Sequence, residues 1–385
     1  MHIAFDGTTL RPGRTGVGYY TEHLLQHAAQ ACPDDDITVF SNTPVDTAVP
    51  LPRHVRTQVS GTWLPRAVWM QTQAPRALRR MKADVVHFTN GMVPAACPVP
   101  SVVTIHDMSL TLYPRFHPSR RILLNRPFVN LAARRADAII TVSASARADI
   151  VAHYGIDPAR VHVVHEAAAP GFRIMQDPFE LQRVRDRYGL HERFVLYVGT
   201  IEPRKNLPAL IEAFAARRNG GDLPHQLVCA GPYGWLSADI ERQIDRLRVR
   251  DVVRFTGYVP FGDLPAIYNL AEMFVFPSVY EGFGLPVVEA MACGTPVITG
   301  RVAALNEVSG DAALQVDPLN PATLGEALVL LASDREQREE LSRRGALRAR
   351  AFSWERAAFD TLNVYRQVAA QGVSSREAAP AALQP

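Results

Sequence analysis

Two successive series of short apolar, β-branched runs, each followed by a helix-length segment, constrain the fold of this chain more than any other feature. In the first half HIAFDG, ITVFSN, DVVHFTN, SVVTIHD, DAIITVS and VHVVHEA read as strands, with helical patterns over residues 19–31, 118–135 and 144–154. FVLYVGT, QLVCAG, VVRFTGY, MFVFPS, PVITG and ALQV repeat the pattern in the second half. Helices are expected there over residues 207–218 and 235–248, and three more helical stretches between 321 and 370. Strands that are apolar throughout belong to parallel sheets covered on both faces. The predicted fold class is therefore α/β, with two Rossmann-like doubly wound parallel-sheet domains facing a cleft. The expected domains are residues 1–172 and 173–353, joined through AAAPGFRIMQDP, whose glycine and prolines suit a linker. A last helix is expected over residues 354–370, followed by a disordered tail, 371–385, rich in Ala, Ser and Pro.

Composition removes several function classes. Cys32, Cys97, Cys229 and Cys293 have neither CxxC nor Cys/His spacing, so they read as small buried hydrophobes rather than a zinc site or a disulfide framework. A net charge of +3 does not point to nucleic acid. The opening MHIAFD enters a strand at once and leaves no room for a secretory leader, and no apolar run reaches the roughly 18 residues of a membrane span. Cytoplasmic residence is expected.

In doubly wound sheets ligands bind beyond the carboxyl ends of the strands, and four motifs stand there. Glu281-Gly-Phe-Gly-Leu-Pro-Val-Val-Glu289 follows the strand MFVFPS. Pro286 suits a first helical turn, so Gly282 and Gly284 present bare N–H groups at a helix N-terminus, where phosphate oxygens bind. Glu281 is expected on the preceding loop and Glu289 on the first turn, two carboxylates able to grip sugar or ribose hydroxyls. Gly199-Thr-Ile-Glu-Pro-Arg204-Lys205-Asn206 follows FVLYV, and its adjacent cations suit the charge developing on a leaving diphosphate. Lys205 is one of only two lysines among 41 basic residues. Thr104-Ile-His106-Asp107 delivers a histidine beyond another strand. Thr15-Gly16-Val-Gly18-Tyr-Tyr is a glycine turn able to approach an anion, but it lacks the third glycine of a dinucleotide fingerprint.

With these motifs the chain resembles glycosyltransferase family 4, of the GT-B fold, over essentially all of residues 1–370. The paired glutamates, GFGLP between them and AMACGTPVI after them carry the resemblance most specifically. It implies that Glu281 contacts a donor sugar, Glu289 the nucleotide ribose and Lys205 the diphosphate, that His106 lies beside the donor sugar, and that Gly16 and Gly18 lie near the phosphates. It also implies that residues 1–172 form the acceptor side and residues 173–353 bind the nucleotide sugar, with the helix over residues 354–370 crossing back to the N-terminal domain. Thr200, Tyr258, Phe283 and Leu285 complete the expected donor-binding set. Where the family often has an arginine after the strand glycine this chain has Thr200, and Arg204 is expected to supply the missing charge. The resemblance further implies retention of anomeric configuration without a metal or other cofactor. The DxD-like Asp34-Asp-Asp36 falls between the first helix and the second strand, at the amino end of the sheet, and reads as a solvated turn.

The likeness of TIHDMS, the Gly16 loop and TIEPRKN to bacterial polysaccharide mannosyltransferases makes GDP-mannose the first expectation for the donor and a UDP-sugar the second. A glycan or lipid-linked acceptor is implied. Competing readings are a nucleotide-sugar 2-epimerase, a nicotinamide oxidoreductase, disfavoured by the failed fingerprint, and a non-catalytic nucleotide-sugar-binding subunit. Finally, residues 53–135 hold thirteen basic residues against Asp84 and Asp107, a net of +11. Cations among apolar residues, as in TWLPRAVWMQ and RRILLNRPFVNLAARR, suggest peripheral contact with anionic membrane on its inner face.

Overall fold

The computed structural model describes residues 1–14, 16–60, 64–237 and 239–377. Thr15 of the glycine motif, Thr62 and Trp63 of TWLPRAVWMQ, and tail residues 378–385 lie outside the described residues. The chain divides into two units. One comprises residues 1–108, 123–166 and 354–385; the other comprises residues 109–122 and 167–353. Residues 109–122 thus group with the second unit, and the final helix, Trp354–Glu377, with the first. That helix includes residues 371–377, assigned above to a disordered tail.

The first unit carries a parallel sheet of β1 (His2–Asp6), β2 (Asp36–Ser41), β3 (Val55–Val59), β4 (Val85–Phe88), β5 (Ser101–Thr104), β6 (Ala138–Thr141) and β7 (Val161–Val163). Its order is β3-β2-β1-β4-β5-β6-β7. The second unit carries β8 (Phe194–Val198), β9 (Gln226–Ala230), β10 (Val253–Gly257), β11 (Met273–Phe276), β12 (Val297–Gly300) and β13 (Leu314–Val316) in the order β10-β9-β8-β11-β12-β13. The doubly wound fold class expected above is observed. In both sheets the order reverses beside the first strand, which makes the carboxyl ends of β1 and β4, and of β8 and β11, the two switch points.

The central strands are buried on both faces. Val85, Val86 and Phe88 in the first sheet, and Phe194, Val195 and Leu196 in the second, have no accessible surface. The edge strand β3 escaped the sequence reading because VRTQV buries only its first residue. The helix expected over residues 235–248 is shorter, Asp239–Leu247. Trp235 is held outside it, donating its indole N–H to the Phe116 carbonyl at 2.7 Å, with the Arg121 guanidinium over its ring. These contacts fix residues 109–122 within the second unit.

The glycine motif also differs from expectation. Gly16 and Gly18 lie in the first turn of the helix Gly16–Ala31 rather than in a loop, with Gly16 exposed and Gly18 buried. A β-carbon at Gly18 would come within 2.6 Å of Arg14 Cβ and 3.0 Å of the Thr9 carbonyl, so glycine is what lets the preceding loop lie on the helix. Arg14 secures that loop by bonding Glu22 at 2.5 Å and Asp46 at 2.8 Å. Asp34–Asp36 stands at the amino end of β2, where Asp35 bonds the N-terminal ammonium at 2.7 Å.

Candidate active site

In the second unit the motif residues converge on the switch point between β8 and β11. The strand β8 ends at Val198, and a 3-10 turn, Pro203–Lys205, carries both cations. The strand β11 ends at Phe276, and the loop after it carries Glu281. The Val279 amide bonds the Arg204 carbonyl at 3.0 Å, and the Arg204 guanidinium bonds the Tyr280 carbonyl at 2.7 Å, so the two loops brace each other. Tyr113, from residues 109–122, rests on Tyr280 with ring centroids 4.7 Å apart.

The charges form one buried cluster. Glu281 bonds Lys205 through Oε1 at 2.6 Å and Arg204 through Oε2 at 2.7 Å, while Glu202 takes a second Arg204 nitrogen at 2.7 Å. None of the four side chains is more than 12% exposed, and their formal charges cancel. Burial alone would raise the Glu281 carboxyl, but Arg204 and then Lys205 overcome it and hold Glu281 below its ordinary range. Burial pulls the Lys205 ammonium down from its usual value, opposed by Glu281. Lys205 also sits over the Phe276 ring, 4.5 Å from its centroid. The adjacent cations expected to face a ligand are therefore already matched to carboxylates within the unit. Glu202, absent from the sequence reading although it lies inside EPRKN, is one of them.

Gly284 caps the helix Leu285–Ala292 at φ +109°, and a β-carbon there would meet Leu305 at 2.5 Å. This left-handed glycine turns the Gly282–Gly284 backbone into the helix N-terminus, which sits beside the charge cluster in sequence. Phe283 contributes no side chain to that surface, being buried edge-on against Phe352 at 5.5 Å. Glu289 is a correction. It stands on the second turn, not the first, and is buried, accepting a hydrogen bond from the Tyr268 hydroxyl at 3.0 Å. Its position therefore owes more to the fully buried Tyr268 than to the helix dipole. Thr200, on the loop after β8, and Leu285, the first residue of the helix, are both partly buried. Tyr258 is half exposed just past β10, two strand positions from β8, and does not join the cluster.

In the first unit His106 lies two residues beyond β5. Its Nε2 donates to the Thr89 carbonyl at 3.0 Å, and its Nδ1 faces Glu166 Oε1 at 3.2 Å. Two acceptors facing two ring nitrogens favour the imidazolium. Burial works to lower the His106 pKa, yet the Glu166 bond and charge outweigh it and the pKa is raised. Beneath it runs a buried chain. Tyr20, edge-on to His106 at 4.6 Å, bonds Thr104 at 2.9 Å; Thr104 bonds His87 at 2.8 Å; and His87 bonds Tyr365 of the last helix at 2.6 Å. Burial drives the His87 pKa down to about 3, so this link is a neutral imidazole.

Two family profiles divide the chain between them. The one described as Glycosyltransferase Family 4 matches residues 14–168, and the one described as Glycosyl transferases group 1 matches residues 180–348. O-antigen chain mannosyltransferase B of Escherichia coli is 30% identical over 95% of this chain and 100% of its own length. Among solved structures, sucrose-phosphate synthase from Thermosynechococcus elongatus superposes with a TM-score of 0.74 at 23% identity, covering 96% of this chain and 99% of the other. HepE of Anabaena in complex with UDP-glucose gives 0.72 at 22% identity, over 97% and 100%. At these identities the structural likenesses establish the fold.

Proposed function

The chain belongs to the family 4, group 1 glycosyltransferases, and from that premise we propose that it moves a sugar from a nucleotide diphosphate sugar to a glycan or lipid-linked acceptor in bacterial polysaccharide synthesis. GDP-mannose is the first choice of donor, on the strength of the mannosyltransferase relative. A UDP-sugar is the second reading, favoured by the UDP-glucose complex of HepE, a fold neighbour.

The observation that carries the proposal is the Glu202–Arg204–Glu281–Lys205 cluster at the carboxyl ends of β8 and β11. A leaving diphosphate next to the Gly284 helix terminus gains from fixed dipoles and cations in a desolvated setting. We assign Lys205 and Arg204 to that charge, Glu281 to the donor sugar as well as to holding both cations, and Glu289 to the ribose. His106 is assigned to the donor sugar's side in the first unit. Transfer is proposed to retain configuration. The acceptor oxygen bonds the anomeric carbon on the face the phosphate leaves, the carbon–phosphate-oxygen bond breaks, and the departing phosphate takes the acceptor's proton.

A thermal-shift panel of GDP-, UDP- and ADP-sugars tests the donor, since a ligand of the folded state raises the melting temperature. GDP-mannose is expected to give the largest shift, and no shift with any nucleotide sugar would sink the assignment. The anomeric coupling of the product by NMR tests retention. Activity is expected to survive chelation; loss on chelation, restored by magnesium or manganese, contradicts the metal-independent reading.

A further inference from the structure

The switch point of the first unit holds a second constellation, built from residues that the donor-side roles leave unused. Asp6 ends β1 with no accessible surface. Its Oδ1 accepts the Thr8 amide at 2.9 Å, while its Oδ2 accepts no hydrogen bond within the described residues. The nearest cation is Arg66, at the start of the helix Arg66–Thr72, whose NH2 stands 3.5 Å from that oxygen. A free arginine–carboxylate pair closes to about 2.7–2.9 Å. This one is held open, and the buried Nε and NH2 of Arg66 and the buried hydroxyl of Thr8 are likewise without partners.

Buried polar atoms are nearly always bonded, and unbonded ones cluster where a ligand completes them. These atoms stand where doubly wound sheets bind ligands. They are also tied to His106, because the Thr89 hydroxyl donates to the Asp6 carbonyl at 3.2 Å and the Thr89 carbonyl accepts from His106 at 3.0 Å. β1, β4 and β5 are neighbours, so Asp6 lies two strand spacings from His106, about 10 Å. That is the length of one or two sugar rings.

We infer that Asp6, Arg66 and Thr8 form the acceptor subsite, and that it recognises the hydroxyls of an uncharged sugar. This rests on the glycosyltransferase reading above and adds the acceptor's chemical class and place. An open carboxylate oxygen accepts from a hydroxyl, and a half-open guanidinium and a threonine hydroxyl donate to the hydroxyl or ring oxygens beside it. A phosphate does not suit the site, since Asp6 already balances Arg66 and its free oxygen repels an anion. The subsite therefore selects the sugar at the growing end rather than the phosphate of a lipid carrier.

Calorimetric titration of neutral mannotriose, without nucleotide sugar, tests this on the full chain. Asp6→Asn keeps the oxygen that takes the Thr8 amide and replaces the open one with a donor. Arg66→Lys, at a partly exposed helix start, decides the matter should Asp6→Asn fail to fold, as judged by its melting transition. Each folded variant is expected to bind mannotriose about tenfold more weakly, the scale of one charged hydrogen bond, with inorganic phosphate failing to compete. Equal affinity for wild type and variants, no binding to wild type, or displacement by phosphate overturns the inference. GDP-mannose titrated separately onto Asp6→Asn is expected to bind as it does to wild type. Should no nucleotide sugar bind the wild type while mannotriose keeps its dependence on Asp6, the donor reading falls and the acceptor subsite stands.

Discussion

The two switch points are built from similar residue types and differ in how completely their charges are matched. In the second unit Arg204 and Lys205 are bonded at 2.6–2.7 Å to Glu202 and Glu281, all four buried. In the first unit Asp6 and Arg66 stand 3.5 Å apart with open hydrogen-bonding atoms. A matched cluster is rigid and presents its field without reorganising, which suits charge that develops in a transition state. An open pair suits a neutral ligand whose hydroxyls complete it. The comparison makes the second site costly to disrupt and the first sensitive mainly to its ligand.

Removing the shared anion is therefore expected to have the largest effect. Glu281→Ala leaves two buried cations facing only Glu202, so transfer should fall at least about 100-fold and stability by about 3–5 kcal/mol. Steady-state rates and denaturant melts measure both, and a variant as stable as wild type would show that the cluster is not acting as one unit. Lys205→Ala should match the loss in turnover, about 100-fold, with less loss of stability, because both carboxylates keep a bond to Arg204 whereas Glu281→Ala strands Lys205. It does remove an ammonium from the face of Phe276, so the melt should move slightly rather than not at all.

Glu289→Ala comes next. It should raise the donor KM by about tenfold while lowering kcat much less, and cost about 1–3 kcal/mol by stranding the Tyr268 hydroxyl. Indistinguishable kinetics for the Glu281 and Glu289 variants would refute the division between sugar and ribose.

Within the first unit, His106 and Glu166 form a largely buried charge pair two strand spacings from the open Asp6 site. The raised His106 pKa means the folded state holds a proton that the unfolded chain gives up near pH 6.5. The sign follows from linkage. This contribution is fully present below that pH and is lost as pH rises through the higher folded value. The melting-temperature gap between wild type and Glu166→Gln should be widest below about pH 6.5 and shrink as pH rises above it. A gap that is constant or widens with pH would mean the imidazole is neutral in the fold.

What was legible beforehand follows from the range of each signal. Strand runs, the glycine-capped helix and the loop cations are local patterns, and the structure gathers the latter two at one switch point. Pairings between single residues far apart in sequence have no period to reveal them. Arg66 meets Asp6, Glu166 meets His106 and Tyr268 meets Glu289 across separations of 60, 60 and 21 residues. Asp6 did carry a local signal, an acid closing an apolar strand in HIAFDG, but its meaning depends on finding Arg66 beside it. The grouping of residues 109–122 with the second unit was hidden for the same reason, since it rests on Phe116 and Tyr113 meeting Trp235 and Tyr280.

The smallest expected effect concerns the basic stretch, which the structure redistributes. It is not a property of one domain, because Arg115, Arg120 and Arg121 group with the second unit and the other ten with the first. Arg56 and Arg66 have acidic neighbours in Asp36 and Asp6. Arg53, Arg76, Arg79, Arg80, Lys82, Arg134 and Arg135 are exposed, and so are Leu123 and Leu124, at 75% and 54%. Among the described residues no helix is long and apolar enough to cross a membrane. The proposal is that these cations meet anionic headgroups, each well-placed one contributing about 1 kcal/mol at low salt. The two leucines add an apolar part that salt does not screen. Flotation with anionic liposomes should then fall as ionic strength rises and the Debye length shortens toward about 8 Å. Neutral liposomes should recover little protein at any salt. Leu123→Ser with Leu124→Ser should weaken what binding survives at high salt while leaving the salt dependence in place. Equal or absent flotation under all conditions would make a soluble acceptor the better reading, and would leave the hydroxyl-binding chemistry of Asp6 and Arg66 as the only acceptor contact to pursue.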